Sequence, residues 1–187
     1  MPQEIILVFV ALFGLCAGSF FNVVIYRVPR DEDIVFKPSH CPKCEHKLRW
    51  FHNIPVFSFL FLRARCAFCK VKISWRYPLI ELITAALFVF VAAQDPSWLN
   101  WPFHFYFISA LIISTAVDLE HWIIPDVVTL PGILVGILGA WLMPQQALLD
   151  SLLGTLFGGG VLFLVAWGYA RLTGKEGIQA SISCAKG

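Results

Sequence analysis

Long apolar segments separated by short polar ones run along most of this chain. The apolar segments cover residues 5–25, 78–93, 101–117, 127–143 and 147–170. A helix needs about 20 apolar residues, with a wide range around that length, to cross the hydrocarbon core of a bilayer. The pattern therefore predicts an all-α protein, a polytopic membrane helical bundle with about five spans.

The amino-acid composition supports the membrane class. Hydrophobic residues make up 58% of the chain and charged residues only 14%, whereas soluble domains average about 25% charged residues. The 17 Phe and 7 Trp residues fit a lipid-embedded body with aromatic belts at its interfaces. These values exclude an ordinary soluble domain.

Basic residues are concentrated in one segment of the chain. Eleven of the fourteen Lys and Arg residues lie between Arg27 and Arg76. The positive-inside rule predicts that this loop, residues 27–77, is cytoplasmic, which puts Met1 outside and the C-terminus in the cytoplasm. Attraction to anionic lipid explains the charge of the loop more simply than nucleic-acid binding does. We therefore predict a multi-pass membrane protein with membrane lipid as a partner and no nucleic acid.

The first apolar segment has two interpretations. Ala17-Gly-Ser19 resembles the small-residue cleavage site of a signal peptide. However, Glu4 stands where a signal peptide carries basic residues, and the apolar stretch is longer than a signal peptide needs. The sequence therefore favours a retained first transmembrane span over residues 1–26.

Two Cys-x-x-Cys pairs lie within the basic loop, Cys41 with Cys44 and Cys66 with Cys69. Their spacing is typical of a structural zinc site in which each pair presents two sulfurs to one metal ion. A loop of this size cannot build a large core, and a bound metal supplies the missing stability. Two disulfides and four unligated thiols are the alternatives, and a reducing cytoplasm argues against disulfides. The spacing thus predicts a small cytoplasmic zinc-binding loop domain over residues 27–77.

A polar interruption, Asp118-Leu-Glu-His-Trp-Ile-Ile-Pro-Asp126, separates two of the apolar segments. Carboxylates at membrane depth are costly and usually mark a functional site. Asp118 is therefore a candidate functional carboxylate. We interpret Asp126 as a helix-start carboxylate favoured by the helix dipole, and Glu120 and His121 as solvated loop residues.

Glycines four residues apart recur in the later apolar segments, as Gly132-x-x-x-Gly136 and Gly154-x-x-x-Gly158. This spacing favours close approach between helices in a membrane. Phosphate binding is the alternative, and it is disfavoured because no Lys-Ser or Lys-Thr follows. The glycines therefore predict packing rather than catalysis.

Four motifs follow one another along the chain. They are Gly18-Ser-Phe-Phe-Asn-Val-Val-Ile-Tyr-Arg-Val-Pro29, the paired cysteines, Trp75-Arg-Tyr-Pro-Leu-Ile-Glu-Leu82, and Asp118 to Asp126. In content and order they resemble the type 4 prepilin peptidases, a family of bacterial membrane aspartic proteases that often also act as N-methyltransferases. The resemblance assigns Asp118 to the first catalytic aspartate of that family.

This resemblance implies a function. Such proteins remove the leader peptide from type IV prepilins and type II secretion pseudopilins at the cytoplasmic face of the bacterial inner membrane. Members that methylate the new N-terminus use S-adenosylmethionine, and the sequence assigns no residue to binding that cofactor. The implied partners are prepilin and pseudopilin substrates.

The tail departs from the family pattern. The family carries its second catalytic aspartate in a Gly-x-Gly-Asp motif shortly after Gly-Lys-Glu-Gly. Here Gly174-Lys-Glu-Gly177 is followed by a divergent segment, residues 179–187, in which Ile182 stands at the expected position of that aspartate. The sequence therefore predicts an incomplete peptidase core of four spans over residues 78–178, with the second catalytic aspartate absent. We expect no prepilin cleavage by the 187-residue chain alone, and a catalytically inactive, zinc-bearing membrane module is the alternative function.

Overall fold

The computed structural model describes residues 3–34, 36–41, 43–123 and 125–142, together with isolated helical positions between 153 and 171. Within these residues the regular structure is helical. The helices are α1 (Gln3–Arg27), α2 (Phe57–Phe61), α3 (Arg76–Gln94), α4 (Trp101–His121) and α5 (Asp126–Leu142). Short 3₁₀ turns follow α1 at Val28–Arg30 and precede α2 at Trp50–Asn53.

The first three predicted spans are confirmed as helices. Three described helices, α1, α3 and α4, are long and apolar enough to cross a bilayer. Helix α5 is apolar but shorter, with 17 residues, and most of the fifth predicted span, residues 147–170, lies outside the described residues. Five spans therefore stays a prediction. The chain divides into two compact units, residues 1–135 and 136–187, and the contacts described below belong to the first.

Helices α1 and α3 touch through their backbones at two glycines. A Cβ atom added to Gly14 would lie 2.6 Å from the Cα atom of Ala85, and one added to Gly18 would lie 2.6 Å from the Cα atom of Glu81. No side chain fits into either space, so glycine is required at both positions. Membrane helices use small residues four apart in this way because packing, rather than the hydrophobic effect, drives their association.

Gly132 behaves differently from these two glycines. A Cβ atom added there would meet the ring of Tyr106 at 3.4 Å, an ordinary side-chain contact. The closest helix approach among the described glycines is therefore at Gly14 and Gly18 in α1.

A small apolar core lies where α1, α3 and α4 meet. Phe88 of α3, which is 1% exposed, stacks on Phe105 of α4 with ring centroids 4.1 Å apart. Phe13 of α1 packs against both rings. Outside this core, large apolar side chains are exposed along all three helices, and only 11% of the most apolar part of α4 is buried. Helices whose outer faces are this apolar suit a lipid surrounding rather than water.

The turn between α3 and α4 is held by one carboxylate. Asp95 accepts hydrogen bonds from the backbone N–H of Ser97 at 2.9 Å and from the side-chain amide of Asn100 at 3.0 Å. These two bonds lower the pKa of the Asp95 carboxyl below its usual value. The indole N–H of Trp101 also donates to the Asp95 carbonyl at 3.0 Å. The connection is short, and these polar groups form hydrogen bonds within it, so α3 and α4 pack as consecutive helices.

Helix α5 begins beside the first half of α4. The hydroxyl of Tyr106 in α4 donates to the carbonyl of Val128 in α5 at 2.7 Å. Tyr106 lies about 22 Å along the helix axis from His121, the last residue of α4. Ile123, in the connection between the helices, packs against the apolar core. The first turn of α5 is therefore tied to the first half of α4.

Replacing Gly14 by Ala is expected to destabilise the bundle. The new methyl group overlaps the backbone of α3, so the helices must separate, and overpacking of this kind costs about 1–3 kcal/mol. Gly132→Ala is the matched control, because its methyl group meets only a ring at contact distance and Ala favours a helix by about 1 kcal/mol. Thermal unfolding in detergent or nanodiscs measures both variants. Equal midpoints for the two variants would contradict the backbone contact.

Candidate metal centre and catalytic site

The two Cys-x-x-Cys pairs form knuckles with the same backbone hydrogen bonds. In the first knuckle, the N–H of Cys41 donates to the carbonyl of His46 at 3.1 Å, and the N–H of Glu45 donates to the carbonyl of Cys41 at 2.9 Å. The second knuckle repeats both bonds 25 residues later, from Cys66 and Lys70, at 2.8 and 3.2 Å. The two knuckles are thus copies of one turn.

Each knuckle turns through a residue with positive φ. Glu45 has φ 54° and Lys70 has φ 59°, a left-handed conformation uncommon for residues other than glycine. An antiparallel bridge closes each knuckle at its base, between residues 40 and 47 and between residues 65 and 72. The turn points the two sulfurs of a pair toward one point.

The four cysteine sulfurs lie about as close together as the ligands of one tetrahedral metal ion. All four lie within 4.8 Å of one another, and the sulfurs of Cys41 and Cys69 are 3.8 Å apart. Sulfurs bound to one zinc ion at about 2.3 Å in a tetrahedron lie about 3.8 Å apart. Cys41 and Cys66 are buried, and all four thiols are free of disulfides. The cluster therefore has the size and ligands to hold one metal ion, as the spacing of the pairs predicts.

The two thiols of the second knuckle titrate differently. Burial raises the pKa of Cys66, but hydrogen bonds from the backbone N–H groups of Cys69 and Phe68 outweigh it and lower that pKa to about 7. The backbone N–H of Val71 lowers the pKa of Cys69, but desolvation and the neighbouring thiols outweigh it and raise that pKa to about 11. Four adjacent sulfurs cannot all be ionised unless a cation lies among them. The thiols therefore suit a metal cation.

Arg27, the last residue of α1, holds the loop that leads to the first knuckle. Its side chain is only 4% exposed, and a cation at a helix C-terminus is favoured by the helix dipole. The guanidinium donates to four backbone carbonyls, those of Asp33 at 3.0 Å, Ile34 at 3.3 Å, Lys37 at 2.8 Å and Pro38 at 3.1 Å. Only arginine offers enough donors in a rigid plane for this arrangement. In the sequence Arg27 is one of eleven basic residues between positions 27 and 76, and nothing in that pattern indicates this role.

Glu81 ties α3 to the end of the same loop. Its carboxylate is 6% exposed and accepts a hydrogen bond from the backbone N–H of Val56 at 2.7 Å, with the Ser19 hydroxyl as a second donor. Val56 has φ 60° and ψ −49°, and Phe57 N–H donates to the Pro55 carbonyl across it at 2.5 Å. Such a γ-turn is strained, especially for a β-branched residue. Glu81 therefore holds a strained turn in place.

Asp118 lies in the last turn of α4, at the position predicted for it, the end of the third span. Its side chain is exposed. Its carbonyl accepts a hydrogen bond at 2.9 Å from the N–H of Trp122, whose left-handed conformation ends the helix. Glu120 forms an ion pair with Arg76, which fastens this end of α4 to the start of α3. Glu120 and His121 thus belong to the helix and not to a loop, because α4 continues for one turn past the apolar segment.

Asp126 is the first residue of α5, in agreement with its interpretation as a helix-start carboxylate. The carbonyl of Pro125, the residue just before the helix, accepts from the N–H groups of Val128 and Thr129 at 3.1 and 3.3 Å and so forms the first helical hydrogen bonds. Ile182, where the family carries its second aspartate, lies outside the described residues. The structure therefore gathers the four cysteines into one site and gives the location of Asp118 without showing a partner carboxylate.

Purified protein is expected to contain about one thiophilic metal ion per chain, as a four-thiolate site holds one ion. Cys41→Ser or Cys66→Ser is expected to remove the metal and to expose the loop to proteolysis. Cys16→Ser is the matched control, because Cys16 is an exposed residue of α1 outside the cluster. Elemental analysis measures all three variants. Folded protein without any such metal would refute the site.

Two family descriptions match the chain. The bacterial peptidase A24 N-terminal domain matches residues 12–94, which include both knuckles, Arg27 and Glu81. The type IV leader peptidase family matches residues 105–179, which include Asp118. No solved structure matches the chain.

Named relatives agree with these matches. A protein of Myxococcus xanthus named prepilin leader peptidase/N-methyltransferase is 46% identical over 81% of this chain and 45% of its own length. A protein of the same name from Dichelobacter nodosus is 39% identical over 91% of this chain and 69% of its own length. One from Neisseria gonorrhoeae is 40% identical over 90% of this chain and 67% of its own length. The chain thus spans between about half and two thirds of these relatives. Together with the apolar helices, these matches indicate an inner-membrane protein. The chain belongs to the type IV leader peptidase family.

Proposed function

We propose that this protein cleaves the leader peptide from prepilins and pseudopilins at the cytoplasmic face of the inner membrane. The observation that carries the proposal is the position of Asp118, an exposed carboxylate at the end of an apolar helix, within the part of the chain that matches the peptidase family. The names of the relatives, prepilin leader peptidase/N-methyltransferase, support the same substrate class.

The proposed chemistry is hydrolysis by two carboxylates that share one water. One carboxylate takes a proton from the water while the other, protonated, donates to the carbonyl oxygen of the scissile peptide bond. Two nearby carboxyl groups divide these roles because their mutual repulsion separates their pKa values. Asp118 supplies one carboxylate. The family's second carboxylate comes from its Gly-x-Gly-Asp motif, and this sequence carries Ile182 at the expected position, so the proposed cleavage requires a tail that supplies that aspartate.

In the proposed topology Asp118 lies at the membrane surface, in the last turn of a helix that is long and apolar enough to span. The ion pair between Glu120 and Arg76 keeps this end of α4 against α3. Both side chains are partly exposed, so the pair contributes modestly to the position of this helix end.

We assign the metal as zinc with a structural role. Four thiolates fill a tetrahedral coordination shell and leave no position for water or substrate, which is typical of structural and not catalytic zinc sites. Two of the four thiols are buried, which limits access further. Any N-methylation of the new N-terminus requires S-adenosylmethionine as the methyl donor, and this activity is proposed from the names of the relatives.

In the proposed topology the N-terminus lies outside and the zinc-binding loop, residues 27–77, lies in the cytoplasm. The concentration of basic residues in that loop supports this orientation. The same orientation puts the end of α4, with Asp118, on the cytoplasmic side, since α3 and α4 are consecutive spans.

Asp118→Asn is expected to abolish leader cleavage. The assay uses this chain with the segment after Ile178 replaced by a tail of the family pattern, with a Gly-x-Gly-Asp motif and the apolar span that follows it. Removal of one member of an acid–base pair lowers the rate by about 10²–10⁴-fold. Asp126→Asn is the matched control, because it makes the same chemical change at the start of α5 and is expected to retain most of the activity.

Leader removal from a prepilin in membranes is followed by a mobility shift on a gel. Cleavage by the Asp118→Asn variant at a rate near that of the parent protein would exclude Asp118 as a catalytic residue. Metal content serves as the check that both variants fold.

The orientation predicts opposite accessibility of two engineered cysteines. In a chain with Cys16 and Cys184 replaced by Ser, Trp98→Cys is expected to react with a membrane-impermeant maleimide in intact spheroplasts. Arg63→Cys is expected to react only after the membrane is permeabilised. Both native side chains are exposed, so burial does not bias the comparison. The reverse pattern would show the inverted topology.

A further inference from the structure

The short helix α2 presents an apolar surface that nothing in the described structure covers. Phe57, Leu60 and Phe61 are 68%, 61% and 90% exposed. Their spacing of three and four residues puts them on one side of the helix, and we call these three residues the α2 face. Phe59 points to the other side, where it is buried and packs edge-on against Trp75 with ring centroids 4.8 Å apart. Helix α2 therefore has one apolar side against the protein and another directed outward.

The depth of α2 follows from its attachment to α3. The N–H of Val56, which directly precedes α2, donates to the Glu81 carboxylate at 2.7 Å. Glu81 lies five residues past Arg76, the first residue of α3, which is about 7.5 Å along the helix axis. If α3 enters the membrane at its start, the beginning of α2 is held several ångströms below that level. Helices that lie in a membrane interface bury their apolar side to about 5–10 Å.

The residues around α2 have the chemistry of a membrane interface. Trp75 is 71% exposed at the entry of α3, and Trp is enriched at the level of lipid headgroups. Arg63 and Arg65, which follow α2 directly, are both exposed. Basic side chains beside an apolar helix face match a membrane surface that contains anionic lipid.

We infer that α2 is an interfacial anchor, whose α2 face inserts into the leaflet on the side of the paired-cysteine loop while Arg63 and Arg65 contact anionic headgroups. The loop is then held at the bilayer surface by lipid as well as by the spans. This inference goes beyond the peptidase function and does not depend on it, because it rests only on α3 spanning the membrane.

A photoreactive benzoylphenylalanine in place of Phe61 tests the insertion. The protein is reconstituted in nanodiscs of phosphatidylcholine with or without phosphatidylglycerol, irradiated, and examined by mass spectrometry for covalent lipid adducts. We expect lipid adducts at position 61 with a yield close to that at Leu111, an exposed residue in the middle of α4. The same probe at Glu45, in the exposed turn of the first knuckle, is expected to give few.

Charge dependence provides the second measurement. The adduct yield with phosphatidylglycerol minus the yield without it measures the charge-dependent insertion. Arg63→Gln is expected to reduce this difference about fivefold, the effect of one basic residue near a charged membrane surface. It should leave the yield in pure phosphatidylcholine unchanged. Bound metal is measured in every variant as evidence that the loop is folded. The inference is overturned if the lipid-adduct yield at position 61 is no higher than at position 45. It is also overturned if the probe at position 61 forms adducts with a prepilin, with a second copy or within the chain in place of lipid.

Discussion

Contact between the backbones of α1 and α3 is the constraint on which the rest of the structure depends. At Gly14 and Gly18 the helices approach until no side chain fits between them. Within lipid, apolar side chains gain nothing from leaving one apolar surrounding for another, so close packing and hydrogen bonds must hold the helices together. The side-chain amide of Asn22, one turn further along α1, donates to the carbonyl of Tyr77 at 3.1 Å. The crossing thus fixes both the separation and the rotation of the two helices.

The same crossing positions the loop outside the membrane. Because α1 and α3 are locked, Arg27 at the end of one helix and Glu81 near the start of the other form two fixed points. Arg27 holds the segment that leads into the first knuckle, and Glu81 holds the strained turn at Val56 between the knuckles. The metal then needs to join only the two knuckles to each other. Packing in the bilayer and metal binding in the loop therefore stabilise one continuous structure.

The sequence predicted the features that depend on composition or on local spacing. Three spans could be found because a lipid-facing helix must be apolar over its whole length, and the cysteine cluster could be found because a knuckle is a local turn. The roles of Glu81 and Arg27 could not be predicted, because a buried carboxylate or guanidinium in the sequence does not reveal which distant backbone group it meets. The close approach at Gly14 and Gly18 could not be predicted from a four-residue spacing alone, since Gly132 and Gly136 have the same spacing and no such approach. Asp118 was found from its polar surroundings, and Ile182, at the expected position of its partner, lies outside the described residues.

The way Arg27 holds its loop has a consequence for how this protein can change over evolutionary time. All four of its acceptors are backbone carbonyls, and every amino acid provides such a carbonyl. Substitutions among residues 33–38 therefore leave the acceptors intact, provided that the path of the chain is kept. The four bonds thus require arginine at position 27 but no particular side chain at their acceptors. A substitution at Ile34 can therefore change the surface of this loop without removing a hydrogen bond of the Arg27 anchor.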